Sequence, residues 1–169
     1  MKKNIMSQRK KQFGYRAQAM VEFAIALPVL LAVLIGIMEV GRMILMYALV
    51  VNASRDAVRY ASAIGRDDTS PNYFKYKYCD GIKSAAQRSA YFVTVSTTIA
   101  YDSGPNTASL GNCTVSGGEQ NISVDTGNRV TVTVTANYSP MVKFLPIKTR
   151  PFTAASTRTI LGIFDLPNP

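Results

Sequence analysis

Hydrophobic residues form one unbroken run near the start of the chain and alternate with polar residues farther along. The stretch Phe23–Met38 holds 16 residues without a charge, and admitting Glu22 and Glu39 at its ends extends a helical candidate from Ala17 to Gly41. At about 1.5 Å per residue this helix is roughly 37 Å long, enough to cross a hydrocarbon core of about 30 Å. The pattern predicts one transmembrane helix. A buried core helix is the alternative, but a small soluble domain rarely encloses such a run on every face.

The helical pattern continues beyond the uncharged run. Apolar or small residues keep helical spacing at Met43, Tyr47, Val50, Val51, Ser54, Ala57, Val58, Ala61 and Ile64. This spacing predicts a single helix from about Gln18 to Ile64, with Gly65 as its stop. Residues 18–41 would be the transmembrane helix, and residues 42–66 its extracytoplasmic continuation.

Residues 67–169 show the alternation that is typical of strands. Val130–Tyr138 gives the cleanest pattern, Tyr91–Tyr101 a second one, and Ile122 with Val124 a shorter one. Phe152–Leu161 could supply a last strand after the breaks at Pro146 and Pro151. Residues 67–72 are predicted to be a loop, residues 73–79 a short edge or loop, and residues 80–90 one short helix. Turns are expected at 104–105, 117–118 and 126–128.

Strands with one apolar face need a cover for that face. An antiparallel sheet can bury one face and leave the other in water, and the helix segment Met43–Ile64 is the natural cover. The predicted fold class is therefore α+β, with a long N-terminal transmembrane helix that continues into an extracytoplasmic domain with an antiparallel sheet.

Charge is concentrated at the N-terminus. The net charge of +9 divides into +6 for residues 1–16, which hold six Lys or Arg and no acid, and +3 for the rest. By the positive-inside rule, residues 1–17 are a basic cytoplasmic leader, and the body after about Arg42 lies outside the cytoplasm. A secretory signal peptide is the alternative, but no small-residue cleavage site follows the run, which ends in Met38-Glu39-Val40-Gly41-Arg42.

The cysteines and the missing histidine limit the chemistry. The chain has no histidine, and its two cysteines, Cys79 and Cys113, are 34 positions apart. This composition excludes His-based catalysis and zinc sites of the Cys/His type, and no cofactor or metal is expected. Both cysteines fall in the exported part, where oxidation is permitted, so a disulfide between them is favoured over two free thiols.

Other candidate motifs are weak. Ser7 and Lys10 match the spacing of serine acyl-enzymes, but they lie in the charged leader, and no phosphate-binding or dinucleotide-binding loop occurs. The basic and aromatic residues at 73–79 could indicate nucleic acid, although a short edge or loop explains them without a partner. Neither an enzyme nor a nucleic-acid partner is expected.

Glu22 is the informative residue of the membrane segment. A carboxylate at the edge of an apolar run costs about 2 to 3 kcal/mol on insertion scales and calls for a partner, unless it reaches toward water at the interface. The junction YRAQAMVEF at 15–23 places a basic leader before Glu22 and Phe23, which resembles the processing region of type IV pilins. The strings AQAMVEFAIALPVLLAVLIGIMEVGRM at 17–43 and NASRDAVRYAS at 52–62 resemble the TadE-like family of minor pilins, or pseudopilins, of tight-adherence (Flp, type IVb) pilus systems.

The resemblance implies a pilin-like fold and a processing site. The family usually has glycine before the cleaved bond, and this chain has Ala17 there. A prepilin peptidase would cut between Ala17 and Gln18, which makes Glu22 the fifth mature residue and Phe23 the sixth. Other pilins, pilus-assembly proteins and the membrane are the implied partners.

The expected function is that of a membrane-anchored minor pilin or assembly component of a tight-adherence pilus, acting in adhesion and pilus biogenesis. The expected location is the bacterial inner membrane in a single pass, with the pilus itself as a second location. A permanent bitopic anchor for an extracytoplasmic ligand-binding or sensory domain is the alternative, and a small exported enzyme is a more distant one.

Overall fold

The computed structural model describes the backbone of residues 2–120, 123–142 and 147–162, with side chains from Gln18 onward. The chain divides into two compact units, Met1–Arg42 and Met43–Pro169. Helix α1 spans Lys2–Ser62 and contributes to both. The predicted long helix is confirmed, but it begins earlier than Gln18, because the leader is rich in good helix formers and holds no proline. It ends two residues before Ile64, and Gly65 follows with a left-handed φ of 102°.

The second unit contains a short helix and a four-stranded sheet. Helix α2 is Cys79–Ser89, and the strands are β1 Ser96–Asp102, β2 Ser109–Asn112, β3 Arg129–Tyr138 and β4 Arg150–Thr159. The strand order is β2-β1-β3-β4, and every neighbouring pair is antiparallel. The predicted α+β class with an antiparallel sheet is confirmed, as is the short helix near residues 80–90.

The core of this unit lies between one face of the sheet and the second half of α1. Strand β3 buries every second residue from Val130 to Tyr138, as its alternation predicts. From α1 the core receives Val50, Ala53, Ala57, Val58 and Ala61, which share one hydrophobic cluster with the strand residues. Ser54 and Ser156 join the two elements by a hydrogen bond of 2.9 Å between their Oγ atoms. The predicted cover of the sheet by the segment after Met43 is confirmed.

The strand predicted from Tyr91 begins only at Ser96. The backbone turns after α2, where the Val93 amide donates to the Ala90 carbonyl at 2.9 Å. The Gln87 side chain then donates to the Val93 carbonyl and accepts from the Val95 amide. These bonds occupy backbone groups that a strand would offer to its neighbour, so the alternation at 91–95 does not become part of the sheet.

Two further expectations about the strands need correction. Val124 is buried, but it lies outside any strand, and Ile122 lies outside the described residues. Pro151 is a member of β4 rather than a break before it, which is possible because β4 is an edge strand and one side of it needs no donor. Pro146 lies outside the described residues. Strand β2 was not predicted, since its four residues are too few to show alternation.

Candidate functional site

Between Met20 and Met38, helix α1 carries an extended apolar surface that the described residues leave uncovered. Large apolar side chains are exposed on all sides of this part, at Met20, Val21, Phe23, Ile25, Leu27, Val29, Leu30, Leu31, Val33, Leu34, Ile37 and Met38. The segment Gln18–Ser62 is long and apolar enough to cross a membrane, with a mean hydropathy of 2.5 in its most apolar window, and none of that window is buried. Exposed apolar surface of this extent marks contact with lipid or with another protein.

Small residues leave bare backbone on this surface. A Cβ added at Gly36 or at Gly41 would meet nothing within 4 Å. Ala24, Ala26 and Ala32 are exposed on the same part of the helix. Small residues let a second helix approach closely. In lipid, where the hydrophobic effect does not drive helices together, this close packing is what allows them to associate. Pro28 lies inside the helix without ending it.

Glu22 is exposed at the polar end of this surface. The Gln18 side-chain amide Nε2 donates to Glu22 Oε1 at 3.2 Å, one helical turn away. Glu22 also lines a shallow groove of about 580 Å³ whose other walls are apolar: Ile25, Ala26, Val29, Leu30 and Val33. A single carboxylate at the end of an apolar groove would attract a cation carried by a neighbouring helix.

The predicted processing residues lie around this carboxylate. The backbone of Ala17 and Gln18 is helical, the Ala17 side chain lies outside the described residues, and Phe23 is exposed. The backbone nitrogen of Gln18 is the atom that cleavage after Ala17 would turn into a charged amine. That nitrogen belongs to the residue whose side chain already bonds Glu22.

A second carboxylate near the end of the apolar run was not singled out from the sequence. Glu39 is buried, and its Oε2 accepts a hydrogen bond from Arg42 Nε at 3.1 Å, so the two form an ion pair. The sequence did contain an indication of this pair, because Glu39 and Arg42 are three residues apart and this spacing brings side chains together on a helix. This pair neutralises both charges where the apolar run ends.

The disulfide lies in the second unit. Cys79 and Cys113 are bonded, with Cα atoms 5.6 Å apart, and both residues are buried. The predicted disulfide is confirmed, and it ties the start of α2 to the residue that follows β2. Among the described residues no three acidic or cysteine side chains gather in a way that could hold a metal ion.

A network of hydrogen bonds around the Asp67 carboxylate connects the C-terminal end of α1 to the loop that follows it. Tyr60 donates to Asp67 Oδ2, while the Thr69 hydroxyl and the Ser70 amide donate to Asp67 Oδ1 at 2.5 and 2.6 Å. These donors, with Thr69 first and Tyr60 second, lower the pKa of Asp67 from 3.8 to about 2. Burial and the bond to Asp67 raise the pKa of Tyr60. The network fixes the loop after α1.

Comparison with protein families finds a match in the N-terminal part of the chain. The family model described as TadE-like protein matches residues 17–59, which are the apolar part of α1 and most of its continuation. This match confirms the resemblance to the TadE-like family over these residues. No curated protein and no solved structure matches the chain.

Proposed function

We propose that this protein is a membrane-anchored minor pilin or assembly component of a tight-adherence pilus. The carrying observation is the uncovered apolar surface of Met20–Met38, which lies inside the segment that matches the TadE-like family. A surface of this kind needs a hydrocarbon environment or neighbouring helices, and a pilus subunit uses both in turn. The protein acts through packing and subunit contacts, without a catalytic step.

The proposed topology follows from the charges at the two ends of the apolar run. The six basic residues of the leader stay in the cytoplasm, residues 18–41 cross the inner membrane, residues 42–66 continue outside, and residues 67–169 form the extracytoplasmic sheet domain. The ion pair between Glu39 and Arg42 supports an exit near residue 42, because it neutralises the two charges at that boundary. A protein incorporated into the fibre would carry the sheet domain outward.

The proposed mechanism centres on Glu22. Cleavage between Ala17 and Gln18 by a prepilin peptidase would remove the leader and leave a positive amine at Gln18, one turn from the Glu22 carboxylate. A charge in an apolar interface is tolerated when it is paired, and the amine of the same helix or of an adjacent pilin helix would be that partner. The small residues Ala24, Ala26, Ala32 and Gly36 would admit the adjacent helix.

A substitution at Glu22 tests this mechanism. Glu22→Gln keeps the shape and removes the charge, so we expect normal membrane insertion and a loss of most pilus biogenesis, measured by recovery of surface pili. Glu22→Asp keeps the charge one methylene closer to the helix and is the matched control, which should retain more piliation. Replacing Ala17 by a bulky residue should block processing and give the phenotype of Glu22→Gln.

N-terminal sequencing of the functional protein decides between the proposal and its main alternative. A mature chain that begins at Gln18 and copurifies with other pilus subunits supports the pilin role. Fully functional protein that keeps residues 1–17 would contradict the pairing mechanism. An uncut chain that also lacks pilus partners would instead identify a permanent anchor for a ligand-binding or sensory domain.

A further inference from the structure

One end of the sheet lies beside the first turns of α1 in the second unit. Tyr138, the last residue of β3, pairs with Arg150, the first residue of β4. Met43 lines a cavity with these two residues and Phe152. The rings of Tyr47 and Phe152 are 6.2 Å apart in an edge-to-face contact. We call this end of the sheet, with the residues around it, the proximal end.

The proximal end is also the end closest along the chain to the proposed membrane segment. Met43 directly follows Arg42, and the proposed span stops at Gly41. The opposite, distal end is near Arg55, which lies with Arg158 in a groove about 18 Å farther along the helix at 1.5 Å per residue. Since Met43 lies only two residues after Gly41 in the chain, the lipid headgroups are within reach of the proximal end if the apolar run is in the membrane.

The cavity at the proximal end combines cations with apolar walls. It measures about 420 Å³, and Lys148 and Arg150 line it together with Met43, Ile147, Tyr138 and Phe152. Lys148 and Arg150 are exposed, and neither has an ion-pair partner in the part of the chain that the structure describes. An anionic group with an attached hydrocarbon part fits such a lining, because the phosphate would meet the cations and the hydrocarbon the apolar walls.

Exposed aromatic side chains lie at the same end. Tyr91 and Phe92 are 69 % and 72 % exposed, and their ring centroids are 4.3 Å apart. Phe92 lines a groove with Met46, Ser96 and Asn137, so it too lies beside the first turns of the second unit. In membrane proteins, amphipathic aromatic side chains such as Tyr are enriched at the level of the lipid headgroups.

We infer that the proximal end of the sheet rests on the anionic phospholipid surface of the bilayer that anchors the helix. Lys148 and Arg150 bind headgroup phosphates, and Tyr91 with Phe92 lies at the headgroup level. The occupant is the membrane because the patch follows the proposed anchor directly along the chain and carries both positive charge and exposed aromatic rings. The distal groove has three arginines, Arg55, Arg59 and Arg158, but no exposed aromatic residue in its lining. The inference rests on the proposed membrane anchor and adds a second membrane contact to it.

Tryptophan fluorescence tests the position of the proximal end, because the natural chain contains no tryptophan. Phe92→Trp places one at the proximal end, and Leu161→Trp places one beyond the distal end of β4, at a side chain that is also exposed. The full chain is reconstituted in vesicles of phosphatidylcholine and phosphatidylglycerol, with or without bromine on the acyl chains near the headgroup. We expect bromine to remove most of the emission of Phe92→Trp and to leave that of Leu161→Trp unchanged. Tyr91→Trp is the second proximal variant if Phe92→Trp does not fold.

Charge removal tests the headgroup contact. In the Phe92→Trp background, the double change Lys148→Gln and Arg150→Gln should abolish the increase in quenching that phosphatidylglycerol gives over phosphatidylcholine alone. Each lost cation should lower the ratio of docked to undocked protein about fivefold, since a basic residue near an anionic surface contributes about 1 kcal/mol. Arg55→Gln with Arg158→Gln removes the same charge at the distal end and should leave the lipid dependence intact.

Two outcomes separate this inference from the proposed anchor. A chain that resists extraction by alkaline carbonate, but whose tryptophan at position 92 is not quenched, overturns the docking and leaves the anchor in place. A chain that carbonate extracts contradicts the anchor itself. Equal loss of lipid dependence in the proximal and distal double variants would also overturn the inference, because only the total charge would then matter.

Discussion

The two halves of helix α1 bury their apolar side chains in different ways. Between Met20 and Met38 the large side chains are exposed, for example Ile25 at 68 % and Val29 at 64 %. Between Val50 and Ala61 the buried side chains are mostly small, and Ala53, Ala57 and Ala61 have no exposed surface. The second half is covered by the sheet of its own chain, whereas the apolar side chains of the first half are not covered by the described part of the chain.

The difference also shows in how polar residues are placed. The second half has charged residues such as Arg55 and Arg59 on the side away from its buried stripe, so it is amphipathic. The uncharged run in the first half has apolar residues on every face. A helix that is apolar all round and yet uncovered is typical of a membrane span, and an amphipathic one of a domain surface. The same secondary structure therefore serves two environments.

Removing the disulfide should have the largest effect and should affect only the second unit. Cys79→Ser with Cys113→Ser opens a loop with a sequence separation of 34. In the chain-entropy model closing such a loop stabilises the fold by up to about 4 kcal/mol. Urea unfolding of the full chain in detergent, followed by the loss of sheet signal in circular dichroism, should show a large drop in the free energy of unfolding.

The matched measurement is membrane insertion of the same double variant. The apolar surface of the first half does not contain either cysteine, so carbonate resistance should equal that of the parent protein. Loss of insertion together with loss of the sheet would show that the two units depend on each other, and would contradict the independence of the two halves of α1.

The elements that could be predicted from the sequence are those with a long, uniform pattern. The 16 uncharged residues are too many for an ordinary strand and so predict a helix, whereas the alternation of Val130–Tyr138 repeats often enough to predict a strand; both elements are confirmed. The disulfide was predictable because the chain offers only one pairing of two cysteines.

The parts that the sequence did not reveal depend on single contacts. The Gln87 side chain bonds the backbone at 93 and 95 and delays the start of β1, and no periodicity records such a bond. Burial of Glu39 beside Arg42 was missed because a charged residue next to an apolar run is ordinarily placed at its boundary. The fit of Pro151 into β4 depends on that strand being at the edge, which only the sheet order shows.

An identical substitution in the two halves of α1 should have opposite outcomes. Ala57 is fully buried against the sheet, and Ala32 is exposed in the apolar run. Ala57→Leu adds three carbons to a packed core and should lower the free energy of unfolding by about 1 to 3 kcal/mol. Ala32→Leu should leave the stability of the sheet unit unchanged, as measured by urea unfolding. Equal effects of the two changes would mean that the first half of α1 is also packed against its own chain.

Protonation of Asp67 in acid should produce the smallest effect, and within α1 it should act only on the second half. Asp67 binds Tyr60 of α1, and its hydrogen bonds lower its pKa to about 2 from an ordinary value of 3.8. A carboxylate whose pKa is lower in the folded than in the unfolded state stabilises the fold above the unfolded value, and this contribution is lost as the pH falls through the folded value. The contribution of Asp67 is therefore complete above about pH 4 and declines toward pH 2.

Asp67→Asn should remove the contribution of Asp67 to the pH dependence of the free energy of unfolding and leave the contributions of the other acidic residues. Its free energy of unfolding near neutral pH should be lower than that of the parent protein, because an amide cannot accept the same set of hydrogen bonds as a carboxylate, and the gap should narrow as the pH approaches 2. Asp68→Asn is the matched control, since its side chain is 93 % exposed and lies 3.8 Å from Lys75 Nζ. Urea unfolding of the three proteins from about pH 6 to pH 2 measures the effect.

A difference in the free energy of unfolding between Asp67→Asn and the parent that stays constant at every pH would mean that the Asp67 carboxylate acts through its shape rather than its charge. The contact between α1 and its loop would then be independent of acid.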